Sequence, residues 1–374
     1  MAATKALVVG SGVIGLRTAL ELLQRNVRVV LRSSFPPLHK STCSIGAGGL
    51  WMPYKCDDSR IDKWASETLT ELLQSLNNSN SNSVMDSPPI EIVPTVFLST
   101  HHNGSDLPEW TKDTRLSFQH LTIEMLSWQN LVLKLRIPSE EDLLNAGYTH
   151  AWLFNPPVVD PPRMLINMMD EVQNHPLTES VDVEMDSPYD NMDEVVEDAI
   201  RYGCDSVINC SGLGAAGICN DSTLKGGRGI LLHYDRSCSR REFNARGLKH
   251  DTCILTEEGE WAEHESCYMI PRGDKIVVGG SYNEEDKEQL ISDRERQRLE
   301  KNAWTLGIDT AKAKPCDEWV GFRPSRSTVC LQVDNSFSPS GLQIVHSYGT
   351  GGSGWTVYSG IAKEAVNLLL EDKK

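Results

Sequence analysis

The sequence predicts an α/β fold in which a parallel-sheet domain is interleaved with a second domain built on a mixed or antiparallel sheet. Three observations carry that expectation. The first 31 residues switch from strand to helix and back to strand periodicity, a short apolar run surrounds residue 207, and two alternating segments flank a turn at residue 273.

Lys5 to Val9 reads as a strand, Val13, Leu16, Leu20 and Leu23 as the apolar ladder of a helix, and Val27 to Leu31 as a second strand. This is a βαβ unit, and Gly10-Ser11-Gly12-Val13-Ile14-Gly15 lies at its strand-to-helix turn. In such a Rossmann-type unit the first glycine permits the tight turn, the second admits a pyrophosphate, and the third lets helix pack on strand. The helix N-terminus then faces the phosphates. After the second strand come Arg32, Ser33 and Ser34, with no acidic residue for an adenosine ribose. Two cofactors remain open on these residues. Arg32 beside the serines suits the 2′-phosphate of NADP, whereas FAD would have its ribose held by Arg32, Ser33 or backbone groups.

Further along, Gln74 to Pro89 is rich in Asn, Ser and Pro and reads as a surface loop, and the acidic run Asp182 to Asp198 reads as a solvated face. Cys204 to Gly214 suits a buried parallel strand arriving beneath a ligand. Asp235 to Ser266 is polar with few large apolar residues. Tyr268 to Pro271 and Ile276 to Tyr282 form the expected hairpin around Arg272-Gly273-Asp274, a turn that places Arg272 toward solvent. Equal parity would set Tyr268 and Tyr282 on one sheet face. From Trp355 onward, Tyr358, Ile361, Ala365, Leu368 and Leu369 make a helical stripe starting at Ser353-Gly354. Gly349, Gly351, Gly352 and Gly354 leave backbone N–H groups there to face a ligand.

Composition excludes several classes of function. A net charge of −16 disfavours nucleic acid and anionic lipid as partners. No uncharged run approaches the roughly 18 residues that cross a bilayer, and the strand at Ala6 leaves no room for a signal peptide. Ten cysteines without a CxxC pair indicate buried thiols and no metal site. The ending Glu371-Asp372-Lys373-Lys374 carries no peroxisomal tripeptide, so a cytoplasmic location is expected, or a peroxisomal one if such a tripeptide has been removed.

Four further segments resemble the D-amino-acid oxidase family, which includes the D-aspartate oxidases. They are Gly46-Ala47-Gly48-Gly49-Leu50-Trp51-Met52-Pro53; Val207 to Gly212 with Gly226-Gly227-Arg228-Gly229; Gly321-Phe322-Arg323-Pro324-Ser325-Arg326; and Tyr348 to Gly352. Order and spacing hold from residue 5 to about 370, and the match is poor over 75–150. The resemblance implies FAD as cofactor, no metal, and a FAD-binding domain from 1–55, 150–230 and 312–374. The substrate domain would comprise 56–149 and 231–311.

The resemblance also assigns roles. Cofactor contacts fall on Gly10, Gly12, Val13, Ile14, Gly15, Arg32, Ser33, Ser44, Gly48, Gly49, Leu50, Ser211, Gly212 and Arg323. The C-terminal contacts are Gly349, Gly351, Gly352, Ser353, Gly354, Trp355 and Thr356. Arg323, Tyr268 and Tyr282 are the implied catalytic and substrate-binding residues, with Gly352 also at the substrate. A guanidinium fits that role because its planar fork gives a carboxylate two parallel hydrogen bonds; Arg326 and His346 are read as structural. The implied reaction is hydride transfer from a neutral D-amino acid to the flavin N5, yielding a 2-oxo acid, ammonia and hydrogen peroxide. Partners would be the D-amino acid and molecular oxygen, with a homodimer as the assembly open to the chain. The arginine that D-aspartate oxidases place at position 282 is a tyrosine here, which favours neutral side chains. An acidic lid candidate from Glu257 to Glu265 points the same way. D-Aspartate oxidation and an NADP-dependent reductase are the alternatives.

Overall fold

The computed structural model describes residues 4–53, 56, 58–79, 89–101, 107–236, 251–257, 266–336 and 341–371. It is a mixed α/β structure. Its first half contains β1 (Lys5–Val9), α1 (Val13–Gln24), β2 (Arg28–Arg32), α2 (Ile61–Ser79), β3 (Ile90–Ile92), β4 (Thr95–Ser99), β5 (Gln119–Thr122), α3 (Ile123–Leu133), α4 (Glu140–Asn145), β6 (His150–Phe154), β7 (Pro157–Val159), α5 (Pro161–Asn174) and β8 (Thr178–Asp182). The chain continues through α6 (Met192–Arg201), β9 (Ser206–Asn209), α7 (Ala215–Ile218), β10 (Lys225–Asp235), β11 (Cys253–Thr256), β12 (Cys267–Arg272), β13 (Lys275–Gly279), α8 (Asp293–Thr305), β14 (Asp317–Asp334), β15 (Gln343–Thr350) and α9 (Gly354–Glu371).

Thirteen strands form one sheet in the order β5-β6-β4-β11-β12-β13-β10-β14-β15-β9-β1-β2-β8. From β15 to β8 every pairing is parallel. Alternation along β1 explains how both faces are covered. Ala6 and Val8 join Leu16, Leu20 and Leu23 of α1 and Tyr358 and Ile361 of α9 in one core. Leu7 and Val9 pack with Val195 and Ala199 of α6 in another. The expected βαβ unit thus forms with its ladder buried, and the 207 region becomes β9, paired with β1 and wholly buried.

The remaining pairings are antiparallel except β4 with β11. One face, bearing Val96, Ile254, Met269, Val278 and Leu232, packs on Leu126, Leu143, Leu299 and Ala303 of α3, α4 and α8. By register the other face carries Trp152, Phe97, Leu255, Tyr268, Gly279, Leu231 and Trp319 across successive strands. This second face fronts the functional cavity.

Three local expectations need correction. Asn77, Asn78 and Ser79 close helix α2, because the stripe Trp64, Ala65, Leu69 and Leu72 is buried and carries the helix past its polar end. Residues 80–88 lie outside the described residues. The polar stretch after Asp235 contains β11, whose four residues are all buried between β4 and β12; its flanking charges mask so short a strand. Arg272 is 6% exposed, not solvated: it ends β12, near Asp160, and burial pushes its guanidinium down to about 10 while Asp160 and Tyr268 oppose the shift.

Candidate active site

A cavity of about 840 Å³ opens where the C-terminal ends of β1 and β9 meet the second sheet face, which is where parallel α/β sheets place ligands. Gly10 has φ +107°, and a Cβ there would stand 2.5 Å from the Cys210 carbonyl oxygen. At Gly15 it would stand 1.9 Å from the Gly10 oxygen, so α1 packs directly on the turn. Gly12 is the N-cap of α1 and supplies no side-chain cap; instead the Val13 N–H donates to Ser44 Oγ at 3.0 Å. Ser33 Oγ takes the N–H of Ser11 at 3.2 Å, closing the second strand onto the same turn.

Arg32 is placed otherwise than expected. Its side chain is 11% exposed, its Nε lies 3.2 Å from Asp198, Nη1 donates to Asp182, and it does not line the cavity. Two carboxylates of the acidic run therefore neutralise it, and Asp198 is itself buried. A solvated face is the correct description of only part of that run. The guanidinium expected for a ribose or 2′-phosphate is already paired.

The Gly46–Met52 loop crosses the cavity floor between two supports. Trp51 donates its backbone N–H to Pro157 and its indole N–H to Ala65, both at 3.0 Å. Gly49, at φ +82°, packs against the Val159 carbonyl, where a Cβ would stand at 2.2 Å. Opposite this loop, Gly351 and Gly349 take φ +55° and +87° as β15 turns into α9. Trp355 on the first turn of α9 donates to the Ser44 carbonyl at 2.9 Å, tying the two glycine segments together.

The end of the cavity that holds Tyr268, Tyr282 and Arg323 rests on large side chains laid across glycines. A Cβ at Gly279 would meet the Tyr268 hydroxyl at 2.6 Å, at Gly227 the Tyr282 ring at 2.3 Å, and at Gly46 or Gly321 the Trp319 indole. Arg323 donates from Nη1 to the Ser281 carbonyl at 2.9 Å and stands 5.9 Å from the Tyr282 ring centroid. Tyr282 donates to Glu284 at 2.5 Å, and burial together with that bond pushes its phenol up. Parity alone would send Tyr282 to the opposite face, since Tyr268 is registered with Gly279. Gly280, at φ +133°, breaks the strand and returns Tyr282 to the cavity.

Neighbouring polar residues have separate work. Arg326 and the Tyr348 hydroxyl both donate to Asp221, whose carboxyl burial would raise but whose bonds from Thr223, Tyr348 and Arg326 hold at about 2. His346 is buried between Asp334 and Asn209. Of the sequence-derived candidates, Gly15, Arg32, Ser353 and Thr356 do not line the cavity; Thr356 instead binds the Met52 backbone. The other candidates do line it. Trp319, Phe97 and Leu255 also line it and were not anticipated. Trp319, four residues before Arg323 on one strand, was detectable by parity; Phe97 falls in the poorly matched stretch and offered no signal.

These residues suit FAD. Gly212 lines the cavity at φ +57°, with open space around a projected Cβ into which a side chain would intrude. The same cavity of about 840 Å³ is lined by Ser11 and Ser33 beside the glycine turn and by Arg323, Tyr268 and Tyr282.

A family model described as FAD dependent oxidoreductase matches residues 5–368. The chain is 26% identical to a D-amino-acid oxidase of Dictyostelium discoideum, covering 97% of this chain and 90% of that protein. It is 25% identical to the D-aspartate oxidase of Homo sapiens, covering 97% and 94%. The crystal structure of glycine oxidase from Geobacillus kaustophilus superposes with a TM-score of 0.73 at 16% identity, over 100% of this chain and 95% of that one. With a glycine-lined dinucleotide cavity and a family match over nearly its whole length, the chain belongs to the DAO family of FAD dependent oxidoreductases.

Proposed function

We propose that the protein oxidises neutral D-amino acids to 2-oxo acids, releasing ammonia and hydrogen peroxide. The observation that carries this reading is the state of Arg323. Arg17, Arg60, Arg228 and Arg326 each pair with a carboxylate of the chain, but among the described residues the Arg323 guanidinium makes one hydrogen bond, to a backbone carbonyl, and fronts the cavity. Its remaining donors await an acid from outside, and an α-carboxylate fits the planar fork.

FAD, when bound, takes up the electron pair leaving the amino acid and passes it to oxygen. The chain's own part is positional. Arg323 tethers the carboxylate, Ser281 and Gly229 set the plane of the guanidinium, and Tyr268 and Tyr282 wall the substrate on either side. Holding reactants in one orientation removes a large share of the barrier, and no side chain is required to move a proton at Cα. Hydrophobic neighbours Phe97, Leu255 and Trp319 exclude water. Of the described residues lining the cavity, Arg323 is the one lysine or arginine, which supports neutral substrates over D-aspartate. The glycine segments would hold the cofactor in a domain formed by 1–55, 150–230 and 312–374, with 56–149 and 231–311 facing the substrate.

Peroxide release from purified protein, measured against paired D- and L-amino acids, tests the reading. Turnover of D-alanine or D-leucine with none of the L-forms is expected. A yellow protein that releases no peroxide with any D-amino acid would refute it.

A further inference from the structure

Three consecutive residues of β10 divide the support of the site between them. Gly227 and Gly229 lie on the cavity face with Leu231 and carry the Tyr282 ring and the Arg323 guanidinium. Arg228 takes the other face, where it is 3% exposed. Its guanidinium pairs with Asp286 at 3.0 Å and Glu295 at 2.5 Å, and donates to the carbonyls of Glu288 and Leu290, both at 2.7 Å. Its backbone exchanges hydrogen bonds with that of Asn283, at 2.7 and 3.1 Å. Asn283 Oδ1 in turn accepts the N–H groups of Glu285 and Asp286. The backbone that carries Glu284 is thus fastened to β10 on either side of it, and what can change at this rim of the cavity is the rotation of side chains.

On that fixed segment the Tyr282 hydroxyl donates to Glu284 Oε1 at 2.5 Å. Both residues are exposed, so the phenol is turned toward the rim. A tyrosine hydroxyl has a single hydrogen to donate. While that hydrogen is on Glu284 it is withheld from an acid on Arg323, whose Cζ stands 5.9 Å from the Tyr282 ring centroid. The chain's own carboxylate and the ligand's therefore compete for one donor. A hydrogen bond to an ionised acceptor is about twice as strong as a neutral one, and a ligand's apparent affinity falls with the fraction of protein already in the competent state.

We propose that Glu284 is a positioning residue: it holds the Tyr282 phenol at the rim until the substrate carboxylate on Arg323 takes over that hydrogen bond, and in doing so it sets KM. This rests on the function proposed above. Glu284 touches neither substrate nor cofactor and acts only through Tyr282. Weakening its hold makes the phenol available before the ligand arrives, so the ligand binds more tightly, while the orientation that Arg323 imposes stays as it was.

The experiment measures KM and kcat for D-alanine in the wild type, Glu284→Gln, Glu284→Asp and Tyr282→Phe, and in Tyr282→Phe combined with Glu284→Gln. Glutamine keeps an acceptor at the same reach without the charge; aspartate keeps the charge but is one methylene shorter than the contact requires. KM should fall about fivefold in both single Glu284 variants, with kcat changing less than about twofold. In the Tyr282→Phe background, Glu284→Gln should leave KM where it was. An unaltered KM in either single variant, or the same fall with and without the Tyr282 hydroxyl, would overturn the proposal. If no D-amino acid is oxidised, the function proposed above fails by itself. Glu284 is then tested with propionate, the D-alanine skeleton without its amine, followed through the visible flavin spectrum. Tighter propionate binding in Glu284→Gln than in the wild type is expected; equal affinity, or binding to neither, would overturn it.

Discussion

The guanidinium of Arg323 lies flat across Gly229 of the neighbouring strand, where a Cβ would stand 2.4 Å from Nη1. Gly229→Ala therefore displaces the proposed carboxylate anchor without touching the glycine loops. KM for D-alanine should rise about tenfold, in keeping with partial loss of a charge-assisted contact, while the flavin absorbance persists. An unchanged KM would show that the guanidinium does not bind substrate in this pose.

Arg323→Ala removes the proposed anchor outright. Truncating one partner of a buried charged pair costs about 2–5 kcal/mol, so kcat/KM for D-alanine should drop by that amount with FAD retained. Steady-state kinetics together with the flavin content of the purified variant check both halves.

Gly12→Val should separate cofactor binding from folding. A Cβ at this N-cap would stand 3.2 Å from Ser44 Oγ, and the branches of valine would project into the pyrophosphate approach. Protein with a folded circular dichroism spectrum and no visible absorbance is the expected product.

His233 gives the fold an acid-sensitive group. Burial, reinforced by Arg272, depresses its imidazole from 6.5 to about 4, although Asp317 opposes the shift. The unfolded chain takes up this proton before the folded one does. The contribution is fully present above pH 6.5 and is lost as pH falls through about 4, a difference of about 3 kcal/mol by linkage. Urea midpoints measured between pH 7 and 4 should decline less steeply in His233→Gln than in the wild type.

Asp198→Asn tests the neutralisation of Arg32. Both side chains are about nine-tenths buried, and removing one partner of such a pair destabilises by about 3 kcal/mol or more. The melting temperature should fall while FAD stays bound; loss of FAD at unchanged stability would restore Arg32 to the ribose site.

The parallel half and the cofactor turn were legible because each is local: β1, α1 and β2 announce themselves by period, and Gly10, Gly12 and Gly15 by spacing. Arg323 and the C-terminal glycines were legible through resemblance of short ordered blocks. What escaped notice depends on contacts between distant segments. Nothing near Arg32 in sequence reveals that Asp182 and Asp198 come back to it after 150 residues. Arg272 sits in a turn-like tripeptide, and its buried guanidinium has as its neighbour Asp160, far earlier in the chain. The route of Tyr282 into the cavity hinges on the single backbone angle of Gly280.

Strand β14 pairs with β10 through Arg323 and Ser325, and Ser325 is also opposite Thr350, within the glycine turn that leads into α9. The residue proposed to tether the substrate and the glycine turn proposed to flank the cofactor are consequently two residues apart in one hydrogen-bonded ladder. Their alignment is built in when the protein folds, so changes in peripheral loops that leave this ladder intact should leave the relative placement of the two segments unchanged.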